Sequence, residues 1–573
     1  MKKKVLIICF ILLLIGVIVY ILYFNKKDAK EISIDKSYSA SDTEETFDEE
    51  EDIDIVFDNK SAEILGEGAS FNDGILTIKS GGTYHLKGNL NGYIYVKTNY
   101  DVRLIFDNLE INTDNYAGVF IENANKTIIT VVADSKNYLK TNGEYKINSD
   151  DEPNGALFSK DDLIINGSGY LEVETDYEDG IVSKDSLVII NSNIKVTSKD
   201  DGIRGKDFVS IDNSVVNIDA GGDGIKSTND TDASLGYVVI YSGEYNINAY
   251  NDGIDAQTNA VIEDGTFNIE TTSTNSEDSA KGIKGVNSIT IKSGVFNINS
   301  TDDSIHSNGS VVITGGTYNI ASGDDAFHAD ESLKITDGEI KVTSSYEGLE
   351  AEVIEIAGGN INIVSSDDGI NAAGGNDGSG YGGPRPGQNT YSSSNASIKI
   401  TGGYIYLNAS GDGFDSNGNA EMTGGTLIIS GPTDNGNGTL DYDGKFIMTG
   451  GLLVAVGSAG MVQTPSSETL NTLNITLNNY MNANTIIHIE DESGNNILTY
   501  APEKKYQSVV VCSESLKTGS TYSIYTGGEA SGTNTNGLYD NPSYIAGTKY
   551  TDATINSLTT NIGMSMNGGF NRR

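Results

Sequence analysis

The five residues Asp367-Asp368-Gly369-Ile370-Asn371 are one copy of a unit that recurs along most of this sequence. The second acidic position marks each copy. The markers are Asp179, Asp201, Asp223, Asp252, Lys281, Asp303, Asp325, Glu347, Asp368, Asp412 and Asp441. The differences between successive marker numbers are 22, 22, 29, 29, 22, 22, 22, 21, 44 and 29. A period of about 22 residues explains these differences if 44 is two periods and each 29 includes a short insertion, and such a period is typical of a solenoid built from stacked repeats.

The residues between the markers align in apolar columns when the copies are stacked. The columns are Ile289, Val311, Leu333 and Ile354; Ile291, Ile313, Ile335 and Ile356; Phe296, Tyr318, Ile340 and Ile361; Ile298, Ile320, Val342 and Ile363; and, at the second position after the marker, Ile283, Ile305, Phe327, Leu349 and Ile370. Within each copy these residues alternate with Thr, Asn, Lys or Ser, and glycine pairs interrupt the alternation. The pattern predicts an all-β fold, a parallel β-helix with three short strands in each coil of about 22 residues.

The composition excludes one class of partner. The chain has 37 Lys and Arg against 80 Asp and Glu, a net charge of -43. A polyanion of this size repels phosphate backbones and anionic lipid surfaces, so we expect no nucleic-acid partner. The two cysteines are Cys9 and Cys512, and Cys9 lies in the apolar start of the chain. The folded part therefore forms no internal disulfide and depends on packing or on metal for its stability.

The start of the chain predicts a membrane anchor. Three lysines precede an uncharged apolar run from Val5 to Phe24, and Asn25-Lys26-Lys27-Asp28 follows where a cleavage site would need small residues. We interpret residues 1–24 as an uncleaved signal anchor with one transmembrane helix. Residues 25–54 are acidic and predict a disordered, solvated linker. Lysines flank the apolar run on both sides, so it is the chemistry of the folded part that favours the extracellular face of a bacterial cell membrane. The anchor is the only expected contact with the membrane.

The rest of the chain divides by how clearly the repeat is kept. Residues 55–440 form the predicted β-helix, with looser coils up to about residue 154 and a loop rich in Gly, Ser and Asn at residues 374–396. Residues 441–560 lose the period but keep short apolar runs, and we predict a β-rich section that caps the open end of the solenoid. Residues 561–573 are predicted to be a tail.

The acidic turns allow two interpretations. Asp-Gly is a preferred pair for a tight turn, in which Asp bonds its own backbone and Gly accepts a positive φ. Alternatively, carboxylates about 4.8 Å apart on stacked coils need raised pKa values or a bridging cation, and hard oxygen ligands suit Ca²⁺. The candidate calcium ligands are Asp200, Asp201, Asp223, Asp252, Asp302, Asp303, Asp324, Asp325, Glu347, Asp367 and Asp368.

A second polar column occupies the third position after each marker. It contains Arg204, Lys226, Asp255, Lys284, His306, His328, Glu350, Asn371 and Asp415. Because it points away from the apolar column beside it, we expect it to face solvent, either as a plain surface or as a groove for an extended ligand. The candidate ligand-binding residues are Arg204, Lys226, Lys284, Glu350 and Asn371, together with Tyr346 for stacking on sugars. The adjacent histidines suggest a metal pair, although their acidic neighbours favour ordinary surface residues.

Several longer segments resemble a known family. They are residues 152–163, 201–207, 281–284, 346–351 and 367–375, with residues 457–461 and 522–527 in the C-terminal section. In these the chain resembles a bacterial family of carbohydrate-binding domain proteins, exported and often membrane-anchored. The resemblance covers about residues 55–563. It implies a pectate-lyase-like, right-handed parallel β-helix that binds plant-wall polysaccharides such as cellulose and polygalacturonate, with calcium at the acidic turns.

Three functional hypotheses follow. The first is a surface-anchored, monomeric protein that binds extracellular polysaccharide and uses Ca²⁺ to offset its own acidity. The second is a calcium-dependent polyuronate lyase, in which the ion acidifies a proton beside the uronate carboxylate and Lys226, Lys284, Arg204 or Lys281 acts as base. The third is an adhesin or spacer whose repeats only provide length. We favour binding over catalysis.

Overall fold

The computed structural model describes residues 29–46, 52–146, 152–275, 278–373, 395–466 and 470–563. One short 3-10 helix, Ala40–Thr43, accompanies 51 strands in this part of the chain, so the fold is all-β as predicted. Within these ranges no helix has the length and apolar character needed to cross a membrane. The predicted anchor at residues 1–24, most of the loop at 374–396 and the end of the tail lie outside the described residues.

Each coil contributes one strand to each of three parallel sheets. Sheet 1 follows the marker positions and its strands are Ala69–Asn72, Ile75–Ile78, Tyr93–Lys97, Val119–Asn123, Gly155–Ser159, Asp179–Ser183, Ile203–Gly205, Ile225–Ser227, Ile254–Ala256, Ile283–Gly285, Ile305–Ser307, Ile370–Ala372, Phe414–Ser416 and Asp441–Tyr442. Two longer strands, Phe327–Ile335 and Leu349–Ile356, continue from sheet 1 into sheet 2.

Sheet 2 comes next in each coil. Its own strands are Thr127–Val131, Leu163–Asn166, Ser186–Ile190, Phe208–Asp212, Tyr237–Ile240, Asn259–Ile262, Ser288–Ile291, Ser310–Ile313, Ser397–Ile400, Asn419–Met422 and Phe446–Met448. The first coils are built differently. Two long strands, Gly82–Asn91 and Val102–Asp114, serve both sheet 2 and sheet 3 with a register shift where they bend.

Sheet 3 completes the coil. Its strands are Lys136–Asn142, Tyr170–Thr175, Asn193–Ser198, Ser214–Ala220, Gly243–Ala249, Thr266–Thr271, Val295–Ser300, Thr317–Ser322, Glu339–Ser344, Asn360–Val364, Tyr404–Asn408, Thr426–Ser430 and Leu452–Gly457. Nearly all pairings in the three sheets are parallel and join consecutive coils, which is the arrangement of a parallel β-helix. The predicted right hand of the winding stays a prediction.

The five apolar columns predicted from the sequence are all observed. Val311, for example, pairs with Ile289 on one side and with Leu333 on the other. Residues of the columns are at most 3% exposed, and they fill one continuous core that runs along the solenoid. Aromatic rings stack inside it, and the rings of Phe267, Phe296 and Tyr318 are nearly parallel at centroid distances of 4.9 and 4.8 Å. Burying such columns is the main driving force for stacking the coils.

The longest interval, between Asp368 and Asp412, has the length of two periods, and the loop at residues 374–396 is expected to account for it. Ile370 pairs directly with Phe414 and Ile361 with Ile405, in agreement with a loop inserted in one coil. These two markers therefore belong to adjacent coils, and one coil carries an insertion of a whole period. The intermediate interval between Asp223 and Asp252 is a single coil with an insertion, as predicted, because Ile225 pairs with Ile254.

Both ends of the solenoid are covered. At the N-terminal end Ile53–Asn59 forms an antiparallel hairpin with Ser61–Leu65 and pairs in parallel with the next coil. At the other end Tyr506–Ser513 lies antiparallel between the last sheet 3 strand and Thr472–Met481, which also pairs with Thr559–Ile562. The strands Ile487–Asp491, Asn496–Tyr500, Thr521–Thr535 and Leu538–Thr554 close into a small antiparallel barrel beside them. The C-terminal section thus covers the edge that the last coil would otherwise expose.

Part of the predicted linker lies on the β-helix instead of in solvent. Residues 29–46, here called the strap, run along sheet 2. The backbone N–H of Ile32 donates to Thr290 Oγ1 at 3.1 Å, Lys36 and Tyr38 both bond Asp212, and Asp42 pairs with Lys126 at 2.6 Å.

The strap follows an apolar outer surface that its own acidity does not reveal. The outward column of sheet 2 is uncharged over eight coils, namely Ile128, Ile164, Val188, Ser210, Val239, Val261, Thr290 and Val312, and all of these are at most 8% exposed. From Lys334 onward the column becomes charged. The strap removes this apolar strip from water, and the burial stabilises its ordered position on the β-helix. A solvated linker makes no such contact.

Candidate functional site

The marker carboxylates form a hydrogen-bonded ladder at the turn before each sheet 1 strand. In seven of the ten steps between successive markers, Oδ1 of one marker accepts a hydrogen bond from the backbone N–H of the next marker. The N–O distances are 3.0 Å for Asp201 to Asp179, 3.0 Å for Asp223 to Asp201, 2.8 Å for Asp252 to Asp223, 2.8 Å for Lys281 to Asp252, 2.9 Å for Asp325 to Asp303, 3.0 Å for Glu347 to Asp325 and 2.6 Å for Asp412 to Asp368. The acidic markers from Asp179 to Glu347 are at most 5% exposed.

The ladder corrects the interpretation of Asp-Gly as a local turn. Each Asp bonds the neighbouring coil, not its own backbone, and the following glycines lie outside the positive-φ region. These glycines are needed for close packing. A Cβ on Gly202 would lie 2.7 Å from the carbonyl oxygen of Gly224 and 2.6 Å from the Ile218 side chain. The repeated pair therefore joins coils to one another.

In the first half of the ladder, basic side chains pair with the acids, although burial still raises the pKa of Asp179 to about 8 and that of Asp223 to about 6. Arg204 pairs with Asp179, Lys226 with Asp223, Lys284 with Asp252 at 3.0 Å and Lys281 with Asp302 at 2.6 Å. Burial disfavours the ammonium of Lys281, but Asp303 and Asp302 outweigh it and raise its pKa above the usual range. The same balance raises the pKa of Lys226 and of Lys284. These four predicted bases or sugar ligands are thus held as cations inside the protein.

The second polar column points outward as predicted, but the expectation that it faces solvent is wrong in its middle. His328, Glu350 and Asn371 are 6%, 1% and 8% exposed. Coils about 4.8 Å apart press these side chains against one another and against the ladder. Glu350 and Asn371 are therefore unavailable to an extended ligand, whereas Tyr346 is 36% exposed, beside Asp367.

From Glu347 onward the two columns contain no Lys, Arg or His. The markers are Glu347, Asp368, Asp412 and Asp441, and the residues three positions later are Glu350, Asn371, Asp415 and Gly444. Burial, and then the neighbouring acids, raise the pKa of Asp415 to about 8 and the pKa values of Glu347 and Asp368 well above the usual range. Burial also raises the pKa of Asp412 to about 6.

Four buried oxygens of the two columns in this acidic half have no hydrogen-bond partner. They are Glu347 Oε2, Asn371 Oδ1 and both carboxylate oxygens of Glu350, while Asn371 Nδ2 donates to Glu347 Oε1 at 3.0 Å. An oxygen-only donor set with uncompensated charge fits Ca²⁺. The first half fits poorly, because its carboxylates already have cations. Acidic groups do gather there, as in Asp179, Asp200 and Asp201 and in Asp302, Asp303 and Asp324, each set with oxygens within 4.8 Å of one another.

The ladder makes a strong prediction for stability. Asp252 accepts hydrogen bonds from the backbone of Lys281 and from Ser279 at 2.7 Å, and it pairs with Lys284. Asp252→Ala removes the acceptor of the Lys281 backbone N–H and leaves the Lys284 ammonium with only Asp255, at 3.3 Å, so we expect a loss of about 3 kcal/mol in the free energy of unfolding. Urea titration followed by circular dichroism measures this. The exposed Asp200→Ala should change stability by less than about 0.5 kcal/mol. Equal losses in the two variants would contradict the ladder.

A second site, which the sequence analysis missed, lies on the outer surface of sheet 3. Five asparagines occupy one outward column on consecutive coils: Asn217, Asn246, Asn268, Asn297 and Asn319. The Nδ2 atoms of Asn246, Asn268 and Asn297 each donate to Oδ1 of the preceding asparagine, at 2.9, 2.8 and 2.9 Å. A parallel column holds Asp219, Asn248, Glu270 and Asn299. Together they line a shallow groove of about 470 Å³, here called the asparagine face.

The ends of the asparagine face differ from its centre. Towards the N-terminal coils its first column continues through Lys195, Glu172 and Tyr138, and Tyr138 is 40% exposed. At the other end Asn536, at the tip of the long barrel hairpin, bonds Asn362 in the same column. The signal was present in the sequence, since Asn246, Asn268, Asn297 and Asn319 follow one another at the two intervals, 22 and 29, that separate most of the markers. In the sequence, these asparagines alternate with apolar residues, and the alternation alone identifies them only as the outward-facing side chains of strands.

The comparison with known families now bears on both sites. A family model described as carbohydrate-binding domain-containing protein matches residues 72–326 and 325–527, which include the ladder and the asparagine face. The chain belongs to this carbohydrate-binding family. The family predicted from the sequence resemblance is confirmed.

Two individual proteins are similar to this chain, and the matches cover different shares of it. A protein of Acetivibrio thermocellus with the same description is 31% identical over 149 residues, which are 25% of this chain and 52% of the relative. The chain thus spans about half the length of that relative. A solved structure, a gadolinium derivative of the polysaccharide lyase-like protein from C. thermocellum, is 24% identical, and the match covers 50% of this chain and all of the other. Its TM-score of 0.37 is too low to establish a shared overall shape.

Proposed function

We propose that this carbohydrate-binding protein holds an extended, uncharged polysaccharide along the asparagine face. The observation that carries the proposal is the row of amides with unused hydrogen-bonding capacity. Each amide has two N–H donors and two acceptor lone pairs. The hydrogen bonds between neighbouring asparagines use one donor and one lone pair of Asn246 and of Asn268. The remaining donor and acceptor of each side chain point outward, where sugar hydroxyls can both donate and accept.

The periodicity of the face suits a polymer. The amides repeat once per coil, at about 4.8 Å, over five coils, so that successive sugar units would meet equivalent groups. Tyr138, exposed at one end of the column, offers an apolar ring for stacking on a sugar. Because the side chains are already ordered by their mutual hydrogen bonds, binding costs little side-chain entropy.

The charges favour a neutral glycan such as a cellulose-like glucan over polygalacturonate. Asp219 and Glu270 lie in the second column of the groove, and Lys195 at its edge is paired with Glu172 at 2.8 Å. A polyuronate would therefore bring its carboxylates towards fixed negative charges along most of the groove, and the exposed cation Lys341 follows only beyond Asn319 in the first column. A bridging metal ion would strengthen its binding.

The lyase hypothesis is the weaker alternative. A lysine that acts as general base must be unprotonated at the working pH, and ion pairs hold Lys226, Lys281 and Lys284 in their charged forms. Arg204 is likewise occupied by Asp179. The spacer hypothesis gives no reason for an ordered row of exposed amides. Both observations support binding without cleavage.

Calcium is the second part of the proposal. Glu347, Asp368, Asn371, Asp412 and Asp415 would hold the ion, because they offer only oxygen ligands and lack basic neighbours. Bound Ca²⁺ would allow these carboxylates to ionise while buried. It would serve the stability of the C-terminal coils, since the cluster lies on sheet 1 and the asparagine face on sheet 3.

We also propose that the protein acts as a monomer outside the cell, held to the membrane by residues 1–24. This rests on the sequence of that segment alone. An extracellular place is consistent with a polymeric ligand that does not enter cells.

The binding hypothesis is tested with the full-length chain in mild detergent. It is incubated with insoluble cellulose and with polygalacturonate, with and without a chelator, and both pull-down and the ultraviolet absorbance of unsaturated product are followed. We expect retention on the glucan without any rise in absorbance. A rise in absorbance with polygalacturonate would favour the lyase, and no retention on either polymer would overturn the proposal.

A further inference from the structure

Two histidines stack inside the protein at the centre of the charged ladder. His306 and His328 each occupy the third position after adjacent markers, and their rings are 4.8 Å apart with an angle of 21° between their planes. Sequence reasoning favoured ordinary surface residues here. His328 is instead buried, and the side chain of His306 is only 12% exposed.

Carboxylates surround both rings. His306 Nδ1 lies 2.7 Å from Asp303 Oδ2, and His328 Nδ1 lies 2.8 Å from Glu350 Oε2 and 3.2 Å from Asp325 Oδ2. On the other side of the ring, His328 Nε2 lies 3.1 Å from Asp330 Oδ1. Donor atoms of His328, Asp325 and Glu350 fall within 4.8 Å of one another, as do those of His328, His306 and Asp303.

Glu350 gives an independent indication of a missing ligand. Its side chain is 1% exposed, and neither carboxylate oxygen makes a hydrogen bond with acceptable geometry, although His328 is close. Its nearest cationic group is the His328 ring, whose Nδ1 lies 2.8 Å from Oε2 and is shared with Asp325. Two buried carboxylates thus depend on one imidazole nitrogen, and a metal ion would satisfy both of them. The Glu350 carboxylate faces the Nδ1 edge of the His328 ring, and the Asp325 carboxylate faces the same edge.

We propose that His328, Asp325 and Glu350 bind one divalent transition-metal ion such as Zn²⁺, with His306 and Asp303 as adjoining donors from the preceding coil. Zn²⁺ takes nitrogen and oxygen ligands at about 2.0–2.2 Å in a tetrahedral shell, so its ligand atoms lie about 3.3 Å apart. The observed separations of 2.8 and 3.2 Å around His328 Nδ1 are close to that value.

The surroundings fit a metal-binding histidine better than a calcium ligand. Asp330 meets the ring nitrogen opposite the proposed ion, and a carboxylate in this position is the usual partner that orients a metal-binding imidazole. Imidazole nitrogen suits Zn²⁺ and its neighbours in the first transition row, whereas Ca²⁺ takes oxygen. The site therefore differs in chemistry from the proposed calcium cluster, and it is independent of the polysaccharide hypothesis.

The test uses the full-length chain, freed of metal with a chelator and dialysed. Zn²⁺ binding is measured by calorimetric titration, and Co²⁺ is added in parallel because its visible spectrum reports nitrogen ligation. We expect one saturable ion per chain, Co²⁺ bands that Zn²⁺ abolishes, and no displacement by equimolar Ca²⁺. Asp330→Asn should weaken binding about 10- to 100-fold, and His328→Gln should weaken it further.

His85→Gln is the matched control. His85 is also buried and lies 3.3 Å from Asp54 and 3.1 Å from Asp107, but no second imidazole stacks on it within the described residues. This variant should bind as the wild type does. If His328→Gln fails to fold, as judged by circular dichroism, His306→Gln and the Co²⁺ spectrum decide in its place. Absence of saturable binding, a Co²⁺ spectrum without nitrogen ligation, or equal affinities in the His85, His306 and His328 variants would overturn the proposal.

Discussion

Metal-free protein is expected to be less stable at pH 8 than at pH 5, and Asp412 and Asp415 contribute on the order of 5 kcal/mol to this difference. Asp179, whose pKa burial also raises to about 8, acts in the same direction. Burial and neighbouring acids raise the pKa of Asp415 to about 8 and that of Asp412 to about 6, whereas both side chains titrate near their usual value of 3.8 after unfolding. Between pH 5 and pH 8 the unfolded chain loses these protons freely, and the native state must either keep them or ionise inside the protein.

The sign of the effect follows from these raised pKa values. A carboxyl whose pKa is higher in the folded state contributes its full stability below the unfolded pKa and loses it as the pH rises through the folded pKa. His328 acts in the same direction. Burial disfavours its charged form, but Asp325, Asp330 and Glu350 outweigh this and raise its pKa. Its contribution therefore also declines as the pH rises from the usual range of histidine.

Calcium should remove much of this pH dependence. The ion binds the ionised carboxylates of the folded state, so its effect is largest at pH 8. At one hundred times its dissociation constant it adds about 2.7 kcal/mol per site. Urea titrations by circular dichroism at pH 5 and pH 8, with chelator or with calcium, measure all four free energies of unfolding.

One variant assigns the effect to the acidic half of the ladder. Asp415→Asn should make the metal-free protein more stable at pH 8 and should reduce the gain from calcium. The exposed Asp200→Asn, in the half of the ladder that has basic partners, should change neither quantity. Stability that is unchanged or higher at pH 8 without metal would refute the proposed charge imbalance.

The apolar part of the fold was predictable residue by residue. A strand alternates with period two, and parallel coils in register place equivalent residues side by side. The repeat interval alone therefore paired Ile289 with Val311 and Phe296 with Tyr318, as observed. Insertions did not disturb these pairings, because they lie between strands.

The roles of the polar residues were harder to predict, because the same pattern has more than one physical meaning. Asp-Gly is compatible with a local turn and with a bond to the next coil, and only the position of Asp223 beside the backbone of Asp252 distinguishes them. The acidic strap was misread for a similar reason. Its composition indicates solvation, whereas the apolar strip that holds it belongs to distant strands.

The candidate site shows how far residue type can guide assignment. Lys226 and Lys284 were selected because cations often meet anionic ligands, but the nearest anions are the protein's own carboxylates. The asparagines were passed over because an exposed amide on a strand is common. Their significance lies in forming an unbroken row with directed hydrogen bonds, and such a row is visible only after the coils are aligned.

Binding along the asparagine face is tested most directly by removing its central amides. In the triple variant Asn246→Ala, Asn268→Ala and Asn297→Ala, each substitution removes exposed polar groups from the sheet 3 surface and leaves the core residues between them unchanged. At about 1 kcal/mol for each lost hydrogen bond to the glycan, three losses weaken binding about 100-fold.

A second triple variant, Lys334→Ala, Glu355→Ala and Lys399→Ala, removes the same number of polar side chains from the outer surface of sheet 2 and serves as the control. The decisive measurement is the dissociation constant of each full-length protein for insoluble cellulose, obtained from depletion isotherms. The account predicts a loss of about 100-fold for the asparagine variant and an unchanged constant for the control. Wild-type affinity in the asparagine variant, with its fold intact by circular dichroism, would contradict it.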